Sequence, residues 1–162
     1  MDRFLEGRTA LVTGSVQGIG LAIAKAMASA GARVALHGLA DAAQVEAAKA
    51  DVLAAGAPEV RFFDADMRQV EAIEAMMRDL AAWGGPDVLV NNAGVQRTVT
   101  LAEATPEIWD TILSVNLSGA FHTMRLALPG MAERGYGRVV NIASVHGLVA
   151  SVAKAPYVAS KF

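Results

Sequence analysis

Short runs of aliphatic and β-branched residues alternate with alanine-rich amphipathic stretches along the whole chain. RTALVTG (8–14) is an apolar run closed by glycine, and GIGLAIAKAMASAG (18–31) follows with apolar residues at helical spacing and a glycine stop. RVALHG (33–38) predicts a second strand, and DAAQVEAAKADVLAAG (41–56) predicts a helix with Asp41 placed to cap it. EVRFFDAD (59–66) predicts a third strand, and QVEAIEAMMRDLAAWGG (69–85) a helix ended by glycines. DVLVNNAG (87–94) reads as a fourth strand, a long helix runs from about Thr105 to Arg134, and GRVVNIAS (137–144) reads as a fifth strand. Strands joined by connections of helical length predict an α/β fold, a doubly wound parallel sheet with helices on both faces.

Composition narrows the classes. Apolar residues make up 54% and charged ones 19%, a globular composition, and the mean hydropathy of +0.37 suggests some apolar surface meant for a partner. The net charge of −2 without a basic cluster offers nucleic acid no electrostatic footprint. No apolar run approaches the roughly 18 residues of a membrane span, because Lys25 and Arg33 interrupt the richest stretch. MDRFLEG lacks the apolar core and cleavage site of a signal peptide. The absence of cysteine excludes disulfides and thiolate metal sites, and His37, His122 and His146 show no metal-ligand spacing. These features predict a soluble, cytoplasmic protein with no metal and with neither nucleic acid nor membrane as partner. Without internal repeats or linkers, residues 1–162 read as a single domain.

The first chemistry-bearing stretch is TGSVQGIG (13–20), between the first strand and its helix. Gly14, Gly18 and Gly20 permit a tight turn, close approach of a phosphate to the backbone, and close packing of helix on strand. The free N–H groups of the helix start then face an anion. Thr13, Gly14, Ser15, Gln17, Gly18, Ile19 and Gly20 are therefore candidate cofactor contacts, and the fold expectation sharpens to a Rossmann-like, dinucleotide-binding one. The competing reading is a glycine-rich turn without a ligand.

Near the end of the chain, PYVASKF places Tyr157 and Lys161 four residues apart, on one face of a helix. Alone, they read as an exposed pair. Together, TGSVQGIG, NNAG (91–94), Asn116, Ser144 and Tyr157-x-x-x-Lys161 resemble the short-chain dehydrogenase/reductase family in order and spacing across the whole chain. That resemblance implies hydride transfer to a nicotinamide, with Asn116, Ser144, Tyr157 and Lys161 as catalytic residues. A phenol of pKa about 10 is a poor base near neutrality, and an ammonium one helical turn away favours the phenolate. Ser144 is expected to hydrogen-bond the reacting oxygen, and Asn116 to hold a water linking Lys161 to solvent.

The cofactor is expected to be NAD. HGLADAAQ (37–44), which includes Leu39, and the loop Ser15-Val16-Gln17 both lack the Arg or Lys that would meet a 2′-phosphate. No acid stands directly at the strand end either, and Asp41 comes late. By the resemblance, Asp66 touches the adenine, and Asn92, Ala93 and Gly94 run beside the cofactor.

Gln96, His146 and Lys154 offer polar and cationic donors around the tyrosine, a set suited to a small carboxylate. Loop residues of these types are also commonly just solvated. NLSGAFHTMRLALPGMAERGYGRVVNIASVHGLVAS (116–151) is similar to the bacterial NAD-dependent 3-hydroxybutyrate dehydrogenases, in which the matching three residues bind the substrate carboxylate. The resemblance implies a small hydroxy acid, (R)-3-hydroxybutyrate, oxidised to acetoacetate by a homo-oligomer. Ala155-Pro156 is tighter than the usual run before the tyrosine. Family members also continue past this point with the rest of the tyrosine helix, further strands, a lid and much of the subunit interface. The sequence therefore predicts a truncated chain with two possible behaviours, an active dehydrogenase or a cofactor-binding fragment that turns nothing over.

Overall fold

A computed structural model describes residues 2–162. Strands β1 (Thr9–Val12), β2 (Arg33–His37), β3 (Val60–Phe63), β4 (Val88–Asn91) and β5 (Arg138–Asn141) form one parallel sheet in the order β3-β2-β1-β4-β5. Between them run helices α1 (Gly18–Ser29), α2 (Ala42–Ala54), α3 (Val70–Ala82), α4 (Pro106–Leu113) and α5 (Gly119–Glu133), and α6 (Ala155–Lys161) follows β5. The expected doubly wound α/β sheet is what the chain forms.

Strand alternation explains how a continuous apolar run serves two cores. Ala10 and Val12 of β1, Val34 and Leu36 of β2, and Val88 and Val90 of β4 face the side covered by α1 and α2. Leu11, Ala35 and Leu89 from the same strands face the side covered by α3 and α5. On the first face, Gly20, Ala24 and Ala28 of α1 repeat every four residues, so that helix lies close against the sheet. On the second, α3 buries Ile73, Met76, Met77 and Leu80, a stripe at i, i+3, i+4 and i+7.

The element ends follow local chemistry. Asp41 caps α2 as expected: its carboxylate accepts from the Gln44 N–H at 2.8 Å, and the Gln44 side chain accepts from the Asp41 N–H. Thr105 caps α4, with Pro106 in its first turn. The long helix expected over 105–134 is not continuous. Residues Ser114–Ser118 form a π-helical turn between α4 and α5, and Asn116 sits in its middle.

At the edge opposite the glycine loop, Asp87 is 4% exposed. It accepts from the Thr9 N–H at 3.0 Å and from Arg134 Nε at 3.1 Å, tying β1, β4 and the end of α5 together. Asp87→Ala leaves a buried N–H unpaired and is expected to cost about 1–3 kcal/mol, read as a lower urea midpoint. Asp87→Asn keeps an acceptor for Thr9 and should lose less; equal losses in the two variants would place the cost elsewhere than in that bond.

Candidate active site

The chain leaves β1 towards β2 and returns from β3 to β4 on the other side of β1. The carboxyl ends of β1 and β4 therefore diverge, and a crevice opens between the loops that follow them. Thr13, 1% exposed, holds the two loops together. Its hydroxyl accepts from the N–H groups of Asn92 and Ala93, both at 3.0 Å, and points its own proton at the Val90 carbonyl, 3.4 Å away. Asn92 Nδ2 returns the contact to the carbonyls of Thr13 and Gly14 at 3.0 and 2.9 Å.

Gly14 and Gly18 have φ of +64° and +57°, which disfavours any side chain. A Cβ at Gly20 would collide with the Gly14 carbonyl oxygen, so glycine there lets the helix start pack on the loop. A Cβ at Gly18 would meet nothing within 4 Å, and the start of α1 has neither a side-chain cap nor an acid in its first turn. The turn thus presents bare backbone and free N–H groups to the crevice, a fit for a pyrophosphate.

Two of the expected cofactor contacts serve the scaffold. Besides Thr13, Ser15 is fully buried, and its hydroxyl accepts from the His37 N–H at 3.0 Å. Gln17, Ile19, Gly20, Asn92, Ala93 and Gly94 line a cavity of about 320 Å³. A neighbouring cavity of about 380 Å³ shares Gly14, Leu39, Ala93 and Gly94 and adds Asp66 and Arg68. Leu39 is 70% exposed at its rim. Arg68 escaped the sequence reading, which looked for a basic residue only around the first two strands. It grips Asp66 with Nε at 2.9 and 3.0 Å and Nη2 at 2.6 Å, and this pairing holds the Asp66 carboxyl below its usual range.

His37, which the sequence offers only as a histidine without metal-ligand spacing, takes a structural role. The ring is 2% exposed; Nδ1 lies 3.1 Å from the Gly14 N–H, and Nε2 lies 3.0 Å from the Ala65 carbonyl. An N–H can only donate and a carbonyl only accept, so the ring is neutral with its proton on Nε2. Burial pushes its pKa below the ordinary value, against the opposing pull of the Ala65 bond and of Asp64. The histidine thus pins the glycine turn to the exit of β3.

At the other end of the crevice, the tyrosine helix α6 starts at Ala155, two residues before Tyr157, with Pro156 in its first turn. Seven residues make a marginal helix in isolation, and tertiary contacts hold this one. Lys161 Nζ donates to the Ile142 carbonyl at 2.9 Å. Asn116 Nδ2 donates to Ser160 Oγ at 2.9 Å and to the Val95 carbonyl at 3.0 Å, while its Oδ1 accepts from the Val95 N–H at 2.7 Å. A Cβ on Gly147 would collide with the Lys161 carbonyl, so the short 3₁₀ turn Val145–Gly147 packs directly on the helix end. Ser144 precedes that turn, and its Oγ accepts from the His146 N–H at 3.2 Å.

The Asn116 side chain is thus committed to neighbouring backbone and to Ser160, with one lone pair of Oδ1 remaining. A point beside Gly94, where a Cβ would stand, lies 3.5 Å from that oxygen and 3.8 Å from Lys161 Nζ. The His146 ring meets the Tyr157 ring edge-on at 6.1 Å between centroids. Lys154 immediately precedes α6, after Ala153 at φ +53°. The Ala153 carbonyl accepts from the Val99 N–H at 2.7 Å, joining the loop after β4 to the loop after β5. Gln96 lines a separate groove against α4, and no hydrogen bond links it to His146 or Lys154.

Comparison with known proteins agrees with this geometry. The family model described as short chain dehydrogenase matches residues 8–162. The chain is 52% identical to a D-beta-hydroxybutyrate dehydrogenase of Cupriavidus necator over 97% of its own length and 60% of the relative's. It is 46% identical to a protein of the same name from Rhizobium meliloti, over 95% of this chain and 60% of the relative. The chain thus spans about 60% of the length of these relatives. Among solved structures, it is similar to a 3-oxoacyl (acyl-carrier-protein) reductase from Agrobacterium tumefaciens with NADP bound. The TM-score is 0.91 at 37% identity, covering 98% of this chain and 61% of that one.

The buried histidine has a pH signature. The unfolded chain protonates His37 near pH 6.5, before the folded chain does, so stability is present above that pH and is lost as pH falls through it. Urea midpoints are expected to drop between about pH 7.5 and pH 5 and to flatten over that range in His37→Gln. An unchanged slope in the variant would remove His37 as the cause.

Proposed function

The chain belongs to the short-chain dehydrogenase family, and on that premise we propose that it carries the cofactor site and proton-handling residues of an NAD-dependent dehydrogenase of short 3-hydroxy acids. The favoured reaction is oxidation of (R)-3-hydroxybutyrate to acetoacetate. The observation that carries the substrate assignment is the 52% identity to a D-beta-hydroxybutyrate dehydrogenase across 97% of this chain.

In this reading, a bound NAD supplies the acceptor for the hydride. Tyr157 takes the proton of the substrate hydroxyl. The Lys161 ammonium, tethered to the neutral Ile142 carbonyl and to no carboxylate, favours the phenolate. Ser144 accepts from the His146 N–H, so its own proton is free to donate to the reacting oxygen. Asn116 Oδ1 keeps a lone pair and lies, like Lys161 Nζ, close to Gly94, which supports the expected role of Asn116 in holding a water that links Lys161 to solvent.

His146 Nδ1 lies 3.2 Å from the Val149 carbonyl, which takes the proton on that nitrogen. Nε2 can then donate to a substrate carboxylate only when the ring carries both protons. By the resemblance, Lys154 supplies the second cationic contact and Gln96, from the groove against α4, a neutral one. NAD is favoured over NADP because the sole guanidinium on the adenine-side cavity, that of Arg68, is already paired with Asp66, and the other basic side chain there, His37, is neutral. The solved relative with NADP bound makes the opposite preference the competing one.

A second reading rests on exposure. Leu148, Val149 and Val152 are 82%, 60% and 90% exposed, so the substrate side is open to water, which weakens charge-assisted contacts to a carboxylate. In that reading, the chain binds a dinucleotide without turnover.

The two separate on one preparation, with NADH formation followed by absorbance from NAD and (R)-3-hydroxybutyrate, and NADH binding followed by fluorescence. Tyr157→Phe is expected to lower kcat by about 10²–10⁴-fold while leaving the NADH Kd within about twofold; unchanged turnover would remove Tyr157 from the mechanism. Lys154→Ala is expected to raise KM for hydroxybutyrate about tenfold to a hundredfold, and an equal loss of cofactor affinity would argue against its carboxylate role.

A further inference from the structure

The end of β2 holds the glycine turn through hydrogen bonds to His37. The Ser15 N–H donates to the His37 carbonyl at 2.7 Å, the His37 N–H donates to Ser15 Oγ at 3.0 Å, and the Gly14 N–H donates to the ring at Nδ1, 3.1 Å away. Of these, only the bond to the ring can be switched off by a proton. Nε2 already carries one for the Ala65 carbonyl, so a second proton has no place but Nδ1. A protonated Nδ1 is a donor and cannot receive the Gly14 N–H.

Gly14 is the residue on which the turn is built. At φ +64° it redirects the chain out of β1, its carbonyl accepts from Asn92 Nδ2 at 2.9 Å, and a Cβ at Gly20 would collide with that same carbonyl. The start of α1 therefore packs directly on Gly14. Displacing Gly14 moves the free N–H groups of that helix start together with the backbone that would receive a phosphate.

Little in the surroundings can answer a charge on the ring. Residues 13–20 and 91–96 contain no charged side chain, and neither Gly38 and Leu39 on its own strand end nor Thr111 and Val115 across the cavity supply one. At the exit of β3, Asp64 favours the charged ring, while Asp66 is already paired with Arg68. Burial outweighs Asp64, so the ring stays neutral to below the ordinary histidine range.

We propose that His37 is a positioning residue through which pH controls dinucleotide binding: the neutral ring holds Gly14, and with it the start of α1, in the arrangement that receives the pyrophosphate, and protonation at Nδ1 releases both. This rests on the assignment of the crevice to a nicotinamide dinucleotide. Protonation and binding then oppose each other, and by reciprocity a bound dinucleotide keeps the ring neutral to lower pH than in the free chain.

The test uses ADP-ribose, which carries the pyrophosphate and lacks the acid-labile reduced nicotinamide. It is titrated by calorimetry into the full chain between about pH 7.5 and about pH 5, at a temperature where circular dichroism shows the chain folded throughout. The His37 ring and the Gly14 amide are followed by NMR over the same range, with and without ADP-ribose. Wild-type affinity is expected to fall by about fivefold or more on acidification, and affinity in His37→Gln to stay within about twofold of that variant's own value at the upper pH. His122→Gln, on α5, should keep the wild-type slope. In the free chain the Gly14 amide should shift in step with the ring, and ADP-ribose should move both transitions to lower pH. Wild-type affinity that stays constant as pH falls confines His37 to stability and overturns the proposal. Affinity that rises overturns it too, because the charged ring would then attract the pyrophosphate. So does a slope retained in His37→Gln, or a Gly14 amide that stays in place while the ring titrates, a result that needs only the wild type. No ADP-ribose binding at any pH overturns the assignment of the crevice, whereas binding without a slope overturns the pH control alone.

Discussion

Everything on the cofactor side depends on how the divergence between β1 and β4 is closed at its root. A doubly wound sheet opens at the point where its order reverses, and the loops there must stay apart enough to admit a ligand yet remain fixed relative to each other. Thr13 and Asn92 meet that requirement with hydrogen bonds running both ways across the gap, anchored on the buried Thr13 side chain. His37 adds a third strand to the joint, bonding the glycine turn on one side and the exit of β3 on the other. Buried polar groups of this kind are costly when unpaired. Here the bonds of each partner are met by the other loops, so moving one loop strands polar atoms on its neighbours. The geometry of the crevice is therefore set by hydrogen-bond complementarity, while the two apolar cores set only where the strands lie.

The reaction side is held on a different principle. A seven-residue helix has no stability of its own to speak of, and α6 keeps its register because its surroundings leave it one place to sit. Asn116 bonds Ser160 from a π-helical turn, whose extra residue rotates that side chain relative to a regular helix. Gly147 lets the turn after Ser144 lie against the helix end, and Lys161 reaches the Ile142 carbonyl beyond β5. Ser144, Tyr157 and Lys161 are thereby referenced to the end of the sheet and not to the helix that carries two of them.

Most of the fold was legible because its information is periodic. The alternation in TALV, VALH and VLVN and the four-residue spacing of small residues in α1 each report a face, and the order of elements reports the winding. Gly14, Gly18 and Gly20 were legible for a related reason, since backbone demands select residue type directly. The roles of Ser15, Thr13 and His37 were not. Whether a hydroxyl beside a glycine turn faces a phosphate or a neighbouring strand depends on contacts from 22 to 80 positions away in the chain, and no local pattern records these. Arg68 was missed because its meaning lies in its pairing with Asp66 at a third strand exit. The break in the helix at Asn116 was missed because SVNLS carries neither glycine nor proline.

The distribution of charge separates the two ends of the crevice chemically. In the cavity beside Asp66, the guanidinium of Arg68 is neutralised by a carboxylate, His37 is neutral and most of the walls are apolar, so little there attracts an ion. At the other end, Lys154 and Lys161 stand at the two ends of α6 and His146 meets the Tyr157 ring, and among the described residues none of the three forms an ion pair with a carboxylate. A chain of net charge −2 has acids enough to pair them, and places those acids elsewhere. In the proposed mechanism, leaving Lys161 on a neutral carbonyl would keep its ammonium available to favour a phenolate. Leaving Lys154 without an internal counter-ion would, in the proposed reading, let an incoming carboxylate supply one. In the proposed reaction, the same omission of acidic residues would serve the base and the substrate together, and would favour a hydroxy acid over a neutral alcohol at this end of the crevice.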